Sequence, residues 1–493
     1  MTPQKIRIAL VNPRVESYSS TMPPLGLLYM AAVLEKDGFD VRIFDLSPHH
    51  DRDMDALEAF SPDVVGMTVL TDYAVRAKHV SKLIKAKMPR TILFVGGVHV
   101  TALPVESLNE FNADYAVIGE GEYVMRDICG HILRGEREKI KDLPGIVWRD
   151  QGTVRVNSAH AFIDDLDALP FPARHLLQFE NYLMPPGIIR GKWTERSTTV
   201  MTSRGCPFSC IWCGGQTTFG RKVRRRSVAN VISEIEMLMK TYGVDAVWFV
   251  DDTFTLNKTW VMEFCDTLIA RNMKLSWGCQ AHVKTADEAI FRKMKQAGLV
   301  QLDFGVESGS DVVLKNLKKD STAEEVKRAF ALAKKCGIRT CATFIFGAPV
   351  ETWEDVQKTF DLAKRIKPDF ASSYFLTPYP GTELFDLAKA NRWTVATDRS
   401  GTGLKKKPML LVRFTEKEIM GIRARFQAQC AFRNFLSLLG NFSYIGKAFS
   451  ILVRHPSVFG AGCRAFLKSF VIDDFLFAAV DCYVKKRTTP PRF

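Results

Sequence analysis

The stretch Arg204-Gly-Cys-Pro-Phe-Ser-Cys-Ile-Trp-Cys-Gly-Gly215 decides how this sequence is interpreted. Cys206, Cys210 and Cys213 fall within eight residues of it. Three thiolates at this spacing can hold three irons of a [4Fe–4S] cube and leave the fourth iron without a protein ligand. An iron with an open position binds small molecules, whereas a fully ligated one mainly transfers electrons. The stretch therefore predicts a cluster that takes part in chemistry.

Two other uses of these cysteines fit the sequence less well. A structural zinc site needs a fourth ligand, usually from a second cysteine or histidine pair, and Cys265, Cys279 and His282 stand singly and far along the chain. A disulfide framework is not expected in a chain of 493 residues that lacks a secretory signal. Both alternatives are weaker than the cluster.

Outward from this stretch, strand and helix patterns alternate six times between residues 198 and 380. The predicted strands end at Ser203, Asp251, Ala281, Glu307, Phe346 and Leu376. The predicted helices lie near 228–241, 257–271, 287–297, 323–336 and 353–366. Six such units predict a partial (β/α)6 barrel over 196–385, in which chemistry lies at the carboxyl ends of the strands.

Residues 1–135 alternate in the same way and predict a doubly wound parallel sheet with helices on both faces. The predicted strands are 6–11, 41–45, 64–69, 92–96 and 115–119, with helices near 25–36, 73–87 and 122–134. The loops after these strands are rich in glycine and proline, and ligands bind at that edge of open α/β sheets. The first strand is followed by Val11-Asn-Pro-Arg-Val, without the G-x-G-x-x-G turn of dinucleotide-binding domains.

The spacing Cys-x3-Cys-x2-Cys, with Trp212 before the last cysteine, resembles the signature of the radical S-adenosylmethionine enzymes. In that family the open iron chelates the amino and carboxylate groups of S-adenosylmethionine, and one electron then yields methionine and a 5′-deoxyadenosyl radical. The resemblance implies that Asp251 or Asp252 binds the amino group, in place of the usual Gly-Gly-Glu. It further implies that Glu307 contacts methionine or ribose and that Gly347 and Pro349 let the backbone approach adenine.

The order of the N-terminal loops resembles the cobalamin-binding domain fused to many of these enzymes. The loops are Pro23-Pro-Leu-Gly26, Gly96-Gly-Val-His-Val-Thr101 and Gly119-Glu-Gly-Glu122. The resemblance implies corrin contacts from Pro24, Gly26, Gly96, Gly97, His99, Thr101, Gly119 and Gly121. The signature Asp-x-His-x-x-Gly, whose histidine binds cobalt, is absent. The lower cobalt ligand is therefore unassigned, and an empty, vestigial domain stays open as an alternative.

Two regions flank the barrel. Residues 136–195 predict a connector with a hairpin at 146–149 and 153–156 and a proline-containing run. Residues 386–493 predict a helical, basic extension, and 419–470 holds seven Lys or Arg and no acidic residue. That segment predicts either a helical cap across the barrel or a basic amphipathic surface that touches anionic lipid.

The formal net charge is +14, yet its distribution does not predict nucleic-acid binding. The basic run 221–226 lacks interleaved aromatic residues and predicts a solvated or cofactor-facing loop before a helix capped by Ser227. No signal peptide or apolar span of membrane length is present. Scattered cysteines indicate a reducing compartment. We expect a cytoplasmic protein, peripheral at the inner face of the membrane if the basic segment binds lipid.

These features predict a cobalamin-dependent radical S-adenosylmethionine enzyme. The preferred reaction is methylation of an unactivated carbon of an apolar small molecule, such as a lipid or a tetrapyrrole, with an electron donor such as a flavodoxin or ferredoxin. A ring-forming or rearranging enzyme of the same architecture is the alternative, because the anaerobic magnesium-protoporphyrin monomethyl ester cyclase shares it. A non-enzymatic cobalamin or redox sensor is the third. Methylthiotransferases carry three further N-terminal cysteines, whereas residues 1–205 here hold only Cys129. No catalytic side chain is assigned.

Overall fold

Two sheets of mainly parallel strands, each with its own helices, form the framework of the computed structural model. The structure describes residues 6–14, 22–46, 52–158, 161–183, 189, 192, 194–395, 409–439, 446, 449–450, 453–454, 456–469 and 482. Parts of the predicted basic segment, including Phe442 and Leu452, lie outside these residues.

The strands and helices are numbered here in chain order. The strands are β1 (Arg7–Asn12), β2 (Asp40–Asp45), β3 (Val64–Thr68), β4 (Ile92–Gly96), β5 (Tyr115–Val117), β6 (Ile146–Asp150), β7 (Thr153–Val156), β8 (Ser197–Val200), β9 (Ser203–Arg204), β10 (Arg224–Arg225), β11 (Ala246–Phe249), β12 (Ser276–Ala281), β13 (Leu299–Glu307), β14 (Arg339–Phe346), β15 (Phe370–Phe375), β16 (Thr394–Val395) and β17 (Leu410–Leu411). The α-helices are α1 (Leu25–Lys36), α2 (Arg52–Phe60), α3 (Ala74–Lys87), α4 (Val98–Ala102), α5 (Pro104–Glu110), α6 (Glu122–Leu133), α7 (Gly215–Phe219), α8 (Val228–Tyr242), α9 (Lys258–Ala270), α10 (Glu288–Gln296), α11 (Asp311–Asn316), α12 (Ala323–Lys335), α13 (Trp353–Ile366), α14 (Glu383–Ala390), α15 (Glu416–Leu439) and α16 (Pro456–Ser469).

The N-terminal sheet has the order β2-β1-β3-β4-β5-β6-β7. Its first five strands are parallel, and α1 and α6 cover one face while α2, α3 and α5 cover the other. This confirms the predicted doubly wound fold. The hairpin β6–β7 forms where the sequence predicts it, but β6 pairs antiparallel with β5. That part of the connector therefore extends the N-terminal sheet.

The second sheet has the order β15-β14-β13-β12-β11-β8. Every neighbouring pair in it is parallel, which confirms the predicted six-stranded partial barrel. Helices cover the outer face of this sheet, and a large apolar cluster lies between them and the strands, with Phe249, Phe264 and Trp277 at its centre. Each aromatic side chain of this kind buries a large apolar area, so the barrel is held together independently of the site at its rim.

The first barrel strand is shorter than the sequence predicts. It ends at Val200, and Ser203–Arg204 leaves the sheet to pair antiparallel with β10. Gly205 follows with φ of +93°, and a Cβ there would lie 2.3 Å from the carbonyl oxygen of Lys222. Only glycine fits this turn. The early exit carries the cysteine loop away from the sheet and over the barrel.

Helix α15 packs on the outer face of the last two barrel strands. Phe426 lies 4.8 Å from the ring of Phe344 and 5.2 Å from that of Phe346. The Asn434 side chain bonds both the N–H and the carbonyl of Ala371, at 3.0 and 3.2 Å. The sequence predicts either a cap across the barrel or a lipid-binding surface for this segment. The cap is wrong for α15, because the apolar face of this helix packs against the outer face of the sheet. No helix among the described residues is long and apolar enough to cross a membrane.

Candidate cofactor site

The cysteine loop lies at the carboxyl end of the first barrel strand, as predicted. Cys206, Cys210 and Cys213 are free and partly exposed. The Cys206 N–H donates to Gly220 O at 3.3 Å, and Cys213 N–H donates to Cys210 O at 3.2 Å. These backbone bonds shape the loop and leave the three thiols for other ligands.

Burial sets the chemistry of the three thiols. It raises the pKa of Cys210 to about 11 and also raises the pKa values of Cys206 and Cys213 above the ordinary range. Thiols in such surroundings become ligands when a cation takes the place of their protons. The three thiols lie close enough that Cys206 and Cys213 each help to raise the pKa of Cys210, as is expected of three ligands of one cube. The residues fit the cluster.

The two aspartates after β11 have different surroundings. Asp251 is 1% exposed and accepts bonds from Thr202 N–H at 3.1 Å, from Thr202 Oγ1 at 2.7 Å and from the Ser203 hydroxyl. Asp252 is exposed beside the cysteine loop, and a Cβ on Gly215 would lie 3.3 Å from both its carboxylate oxygens. Desolvation and the charge of Asp251 raise the pKa of Asp252. Asp251 thus fixes the loop, and Asp252 is the carboxylate available to a ligand.

Glu307 ends β13 in a left-handed conformation, with φ of +64°. Its Oε1 accepts from Lys319 Nζ at 3.2 Å, and each side chain is only 9% exposed. Burial lowers the pKa of Lys319, but Glu307 and Cys210 outweigh this and raise it above its ordinary value. A Cβ on Gly305 would lie 2.3 Å from Glu307 Oε1, so glycine makes room for the pair. The result is a lysine cation beside the thiols.

Two further residues beside the thiols, Lys319 and His282, are not identified as site residues by any sequence motif. His282 follows β12, is 6% exposed, and stacks on Phe208 of the cysteine loop with ring centroids 3.9 Å apart. Its Nδ1 accepts from Lys284 N–H at 3.3 Å, and its Nε2 has no hydrogen-bond partner in the described part of the chain. Desolvation and the charge of Lys319 lower its pKa to about 3. The neutral ring therefore carries its proton on Nε2.

The loop after β14 holds the two residues predicted to approach adenine. Gly347 has φ of +97°, and a Cβ there would lie 2.6 Å from Ile419 of α15. Its N–H donates to Glu351 Oε2 at 2.7 Å. Burial raises the pKa of Glu351, which is 1% exposed, to about 7. Pro349 lies in the following turn and is half-buried.

The N-terminal sheet presents a glycine-rich edge, formed by loops 96–101 and 119–122. Thr101 Oγ1 donates to Gly97 O at 3.0 Å and accepts from Gly119 N–H at 3.0 Å, which joins the two loops. Gly97 has φ of +101° and lies so close to Val69 O that a Cβ would be 2.9 Å from it. The edge is therefore shaped by backbone groups.

The other predicted corrin contacts lie around this edge. His99 is 1% exposed, with its Nδ1 3.2 Å from Thr71 Oγ1 and its ring against Phe111. It is part of the packed interior of the domain. The remaining predicted contacts are half-buried or exposed: Pro24, Gly26, Gly96, Gly119 and Gly121.

The glycine-rich edge faces the barrel at the cysteine loop. A Cβ on Gly214 would lie 4.0 Å from Val98 Cγ2, and one on Gly381, which follows β15, would lie 2.8 Å from Ala102 Cβ. Val98 and Ala102 are the two ends of α4. The ligand edges of both sheets are thus opposed across a short distance.

The basic run 221–226 is solvated only at its start, where Arg221 and Lys222 are exposed, so the predicted solvated loop is wrong for Arg224 and Arg226. Arg224 and Arg226 are 3% and 4% exposed. Arg224 Nη1 pairs with Glu120 at 2.7 Å, and Arg226 pairs with Glu234. Charged side chains are buried here because carboxylates of other segments meet them.

Comparison with known proteins agrees with this geometry. Residues 11–128 match the B12 binding domain, and residues 200–363 match the radical SAM superfamily. An uncharacterised methyltransferase of Pyrococcus horikoshii is 33% identical over 423 residues, covering 84% of this chain and 90% of that protein. The anaerobic magnesium-protoporphyrin IX monomethyl ester cyclase of Rubrivivax gelatinosus is 30% identical, covering 77% of this chain and 69% of the cyclase.

Among solved structures, the methyltransferase TsrM of Kitasatospora setae superposes with a TM-score of 0.66 at 20% identity, covering 82% of this chain and 80% of TsrM. OxsB with aqua-cobalamin superposes with a TM-score of 0.72 at 18% identity, covering 92% of this chain and 72% of OxsB. Both support the fold. The chain belongs to the cobalamin-binding radical S-adenosylmethionine enzymes. It is an enzyme whose cofactors are a [4Fe–4S] cluster, S-adenosylmethionine and cobalamin, which confirms the predicted family and cofactors.

Proposed function

We propose that this enzyme methylates an unactivated carbon of a small molecule held between its two sheets. The observation that carries the proposal is the opposition of the glycine-rich edge and the cysteine loop, with Gly214 next to Val98. When bound, the cluster supplies the electron that splits S-adenosylmethionine, and cobalamin carries the methyl group. A substrate between the edges would be within reach of both.

The barrel rim supplies the groups that an amino acid zwitterion requires. Asp252 would accept from the ammonium group of S-adenosylmethionine, since the Asp251 carboxylate is occupied by Thr202 and Ser203. Lys319 and the Nε2–H of His282 would receive its carboxylate. Charge-assisted bonds of this kind are the strong ones. The turn at Gly347 and Pro349 would lie against adenine, with Glu307 holding Lys319 in place.

The glycine-rich edge would hold the corrin ring through backbone groups. Gly97 and Gly119 have positive φ, and Gly26 is open enough that a Cβ would meet nothing within 4 Å. Such positions let a large flat ligand approach the chain closely. His99 is packed against Thr71 and Phe111, so it would support the loop.

An apolar or membrane-resident substrate, such as a lipid or a tetrapyrrole, is the class that we propose. The described part of the C-terminal region carries exposed Phe432, Phe459 and Leu467, at 70%, 50% and 66% exposure. Segment 419–470 has no acidic residue, and basic residues near an anionic membrane surface contribute about 1 kcal/mol each. The surface would place the enzyme at the inner face of the membrane, with a flavodoxin or ferredoxin as donor.

A radical cyclase is the second candidate, and the 30% identity to the magnesium-protoporphyrin monomethyl ester cyclase of Rubrivivax favours it. The two reactions differ in their products. Removal of the methyl group from S-adenosylmethionine leaves S-adenosylhomocysteine, whereas ring formation leaves none. Anaerobic incubation of the reconstituted enzyme with extract of a deletion strain and methyl-deuterated S-adenosylmethionine tests the proposal. A metabolite that gains the labelled methyl group supports it, and one that gains a ring without label favours the cyclase.

Membrane binding has its own test. Sedimentation with anionic vesicles, absent with neutral vesicles and weakened by salt, is expected of the intact enzyme. Substitution of Phe459 and Leu467 by Ser should weaken it, whereas Val312→Ser, also exposed but on α11 of the barrel, should not. Indifference to both lipid and salt would contradict a membrane role.

A further inference from the structure

A buried ionic network joins the glycine-rich edge to the cysteine loop. Arg204 donates to Glu120 at 2.8 Å and to Glu122 at 2.6 Å, and Arg224 donates to both oxygens of Glu120 at 2.9 and 2.7 Å. Each of these side chains is at most 6% exposed. Glu120 also accepts from Ile163 N–H at 2.7 Å. Two carboxylates that follow β5 of the N-terminal sheet thus pair with two guanidinium groups of the β9–β10 ribbon beside the barrel.

The network links the two cofactor regions through hydrogen bonds and short stretches of the chain. At one end, Gly119 precedes Glu120 and is bonded to Thr101. At the other end, Arg204 is followed by Gly205 and then by the cluster ligand Cys206. The carboxylates of Glu120 and Glu122 bond arginines of the β9–β10 ribbon, so they serve the connection between the two loops. Neither glutamate is among the site residues that the sequence motifs predict.

Such a network leaves the two loops little freedom to move independently. Burial would raise the pKa of Glu120, but the hydrogen bond from Arg224 and the charge of Arg204 lower it below the ordinary value, so the group is ionised. A displaced loop would leave a desolvated charge without its partner, which is strongly unfavourable. A ligand that fixes one loop therefore fixes the other, and a second ligand then pays less for ordering its site.

We propose that Arg204, Glu120 and Glu122 are positioning residues that couple the two cofactor sites. This inference rests on the proposed function. Occupancy of the cysteine loop by its cluster raises the affinity of the glycine-rich edge for a corrinoid, and a corrinoid in turn stabilises the cluster, because coupling between two binding sites is reciprocal.

The test measures hydroxocobalamin affinity by absorbance in the full-length protein, under anaerobic conditions, with the cluster reconstituted and with the iron removed. We expect about tenfold tighter binding with the cluster present, which lies in the lower part of the usual range for coupled sites. Glu122→Gln and Arg204→Lys should reduce this ratio below about twofold. Arg204 bonds both Glu120 and Glu122 in the wild type; Gln removes the charge of one partner, and Lys lacks the planar fork that reaches both. Circular dichroism checks that each variant is folded. If Glu122→Gln fails to fold, Arg204→Lys still tests the coupling, because it keeps the buried positive charge.

A matched control lies in a second buried network. Glu234 is fully buried and pairs with Arg174 at 2.6 Å and with Arg226, and it touches neither cofactor loop. Glu234→Gln should destabilise the protein but keep the tenfold ratio. A second readout is the electron paramagnetic resonance spectrum of the reduced cluster, which hydroxocobalamin should alter in the wild type and not in Glu122→Gln.

Equal affinity in the two states of the wild type, or a ratio unchanged in both network variants, would overturn the coupling alone. A ratio lost equally in Glu234→Gln would also overturn it, since general destabilisation would then be the cause. A wild type that binds no hydroxocobalamin in either state would contradict the role given to cobalamin in the proposed function, and the coupling with it.

Discussion

The barrel rim and the glycine-rich edge both lie at the carboxyl ends of parallel strands, but different chemical groups line them. The rim is lined by ionisable side chains: Asp252, Lys319, His282 and the three thiols. The edge is shaped by backbone groups and glycine, and its two carboxylates, Glu120 and Glu122, pair with Arg204 next to the cysteine loop. The difference matches the ligands of this family. A small zwitterion on a cluster needs charges, whereas a large flat ring needs close approach.

Loss of the thiols should have the largest effect on the rim. The triple substitution of Cys206, Cys210 and Cys213 by Ala should remove the iron, the sulfide and the cluster absorbance, because these three thiolates are the ligands of the cube. Release of 5′-deoxyadenosine on reduction should fall to background. Cys265→Ala is the control, since its thiol is buried in the apolar core. Cleavage of S-adenosylmethionine by the triple variant would refute the assignment of the cluster.

The two aspartates should separate binding from folding. Asp252→Asn should weaken S-adenosylmethionine binding about tenfold or more, because a bond between charged groups is lost, with little change in melting temperature. Asp251→Asn should instead cost about 1–3 kcal/mol of stability, because it holds Thr202 and Ser203. Calorimetric titration and thermal unfolding distinguish them. The reverse pattern would exchange their roles.

Glu351, at the barrel rim, should make the stability of the protein depend on pH. Its pKa is raised in the folded chain to about 7, so its contribution to stability is full below the unfolded value of about 4.3 and is lost as the pH rises through 7. Glu351→Gln should therefore be more stable than the wild type at pH 8, by up to about 3 kcal/mol, and nearly equal to it at pH 4. Hydrogen bonds from Ser310 and Thr352 lower the pKa of Asp355 in spite of desolvation. Asp355→Asn should therefore show the opposite trend: less stable than the wild type at neutral pH and nearly equal to it at low pH. A pH-independent difference for Glu351→Gln would contradict the buried neutral acid.

The glycine-rich edge should respond to added methyl groups. Gly97→Ala should cost about 1–3 kcal/mol, because φ is positive and Val69 O is close. Gly26→Ala should stabilise α1 by up to about 1 kcal/mol, since nothing lies within 4 Å, and yet it should weaken hydroxocobalamin binding. Unchanged corrinoid affinity in Gly26→Ala would remove Gly26 from the proposed contacts.

Local sequence patterns predicted what local geometry determines. The spacing of the three cysteines and the alternation of strands and helices gave the family, both sheets and the placement of the cysteine loop. The choice between Asp251 and Asp252 depended on Thr202 and Ser203, which the fold brings from the end of another strand. Lys319 follows Glu307 by twelve residues. It therefore lies too far from the end of β13 to be found by looking at the ends of strands. The basic run 221–226 was misinterpreted for the same reason, because Glu120 lies 104 residues from Arg224 and only the opposition of the two sheets joins them.

A single anaerobic incubation tests methyl transfer by an enzyme that holds both cofactors. The reconstituted enzyme is incubated anaerobically with reductant, hydroxocobalamin, methyl-deuterated S-adenosylmethionine and extract of a deletion strain. The predicted result is the joint appearance of 5′-deoxyadenosine, S-adenosylhomocysteine and one metabolite heavier by a labelled methyl group, all dependent on hydroxocobalamin. Formation of 5′-deoxyadenosine with a ring-closed metabolite and no S-adenosylhomocysteine would contradict methyl transfer.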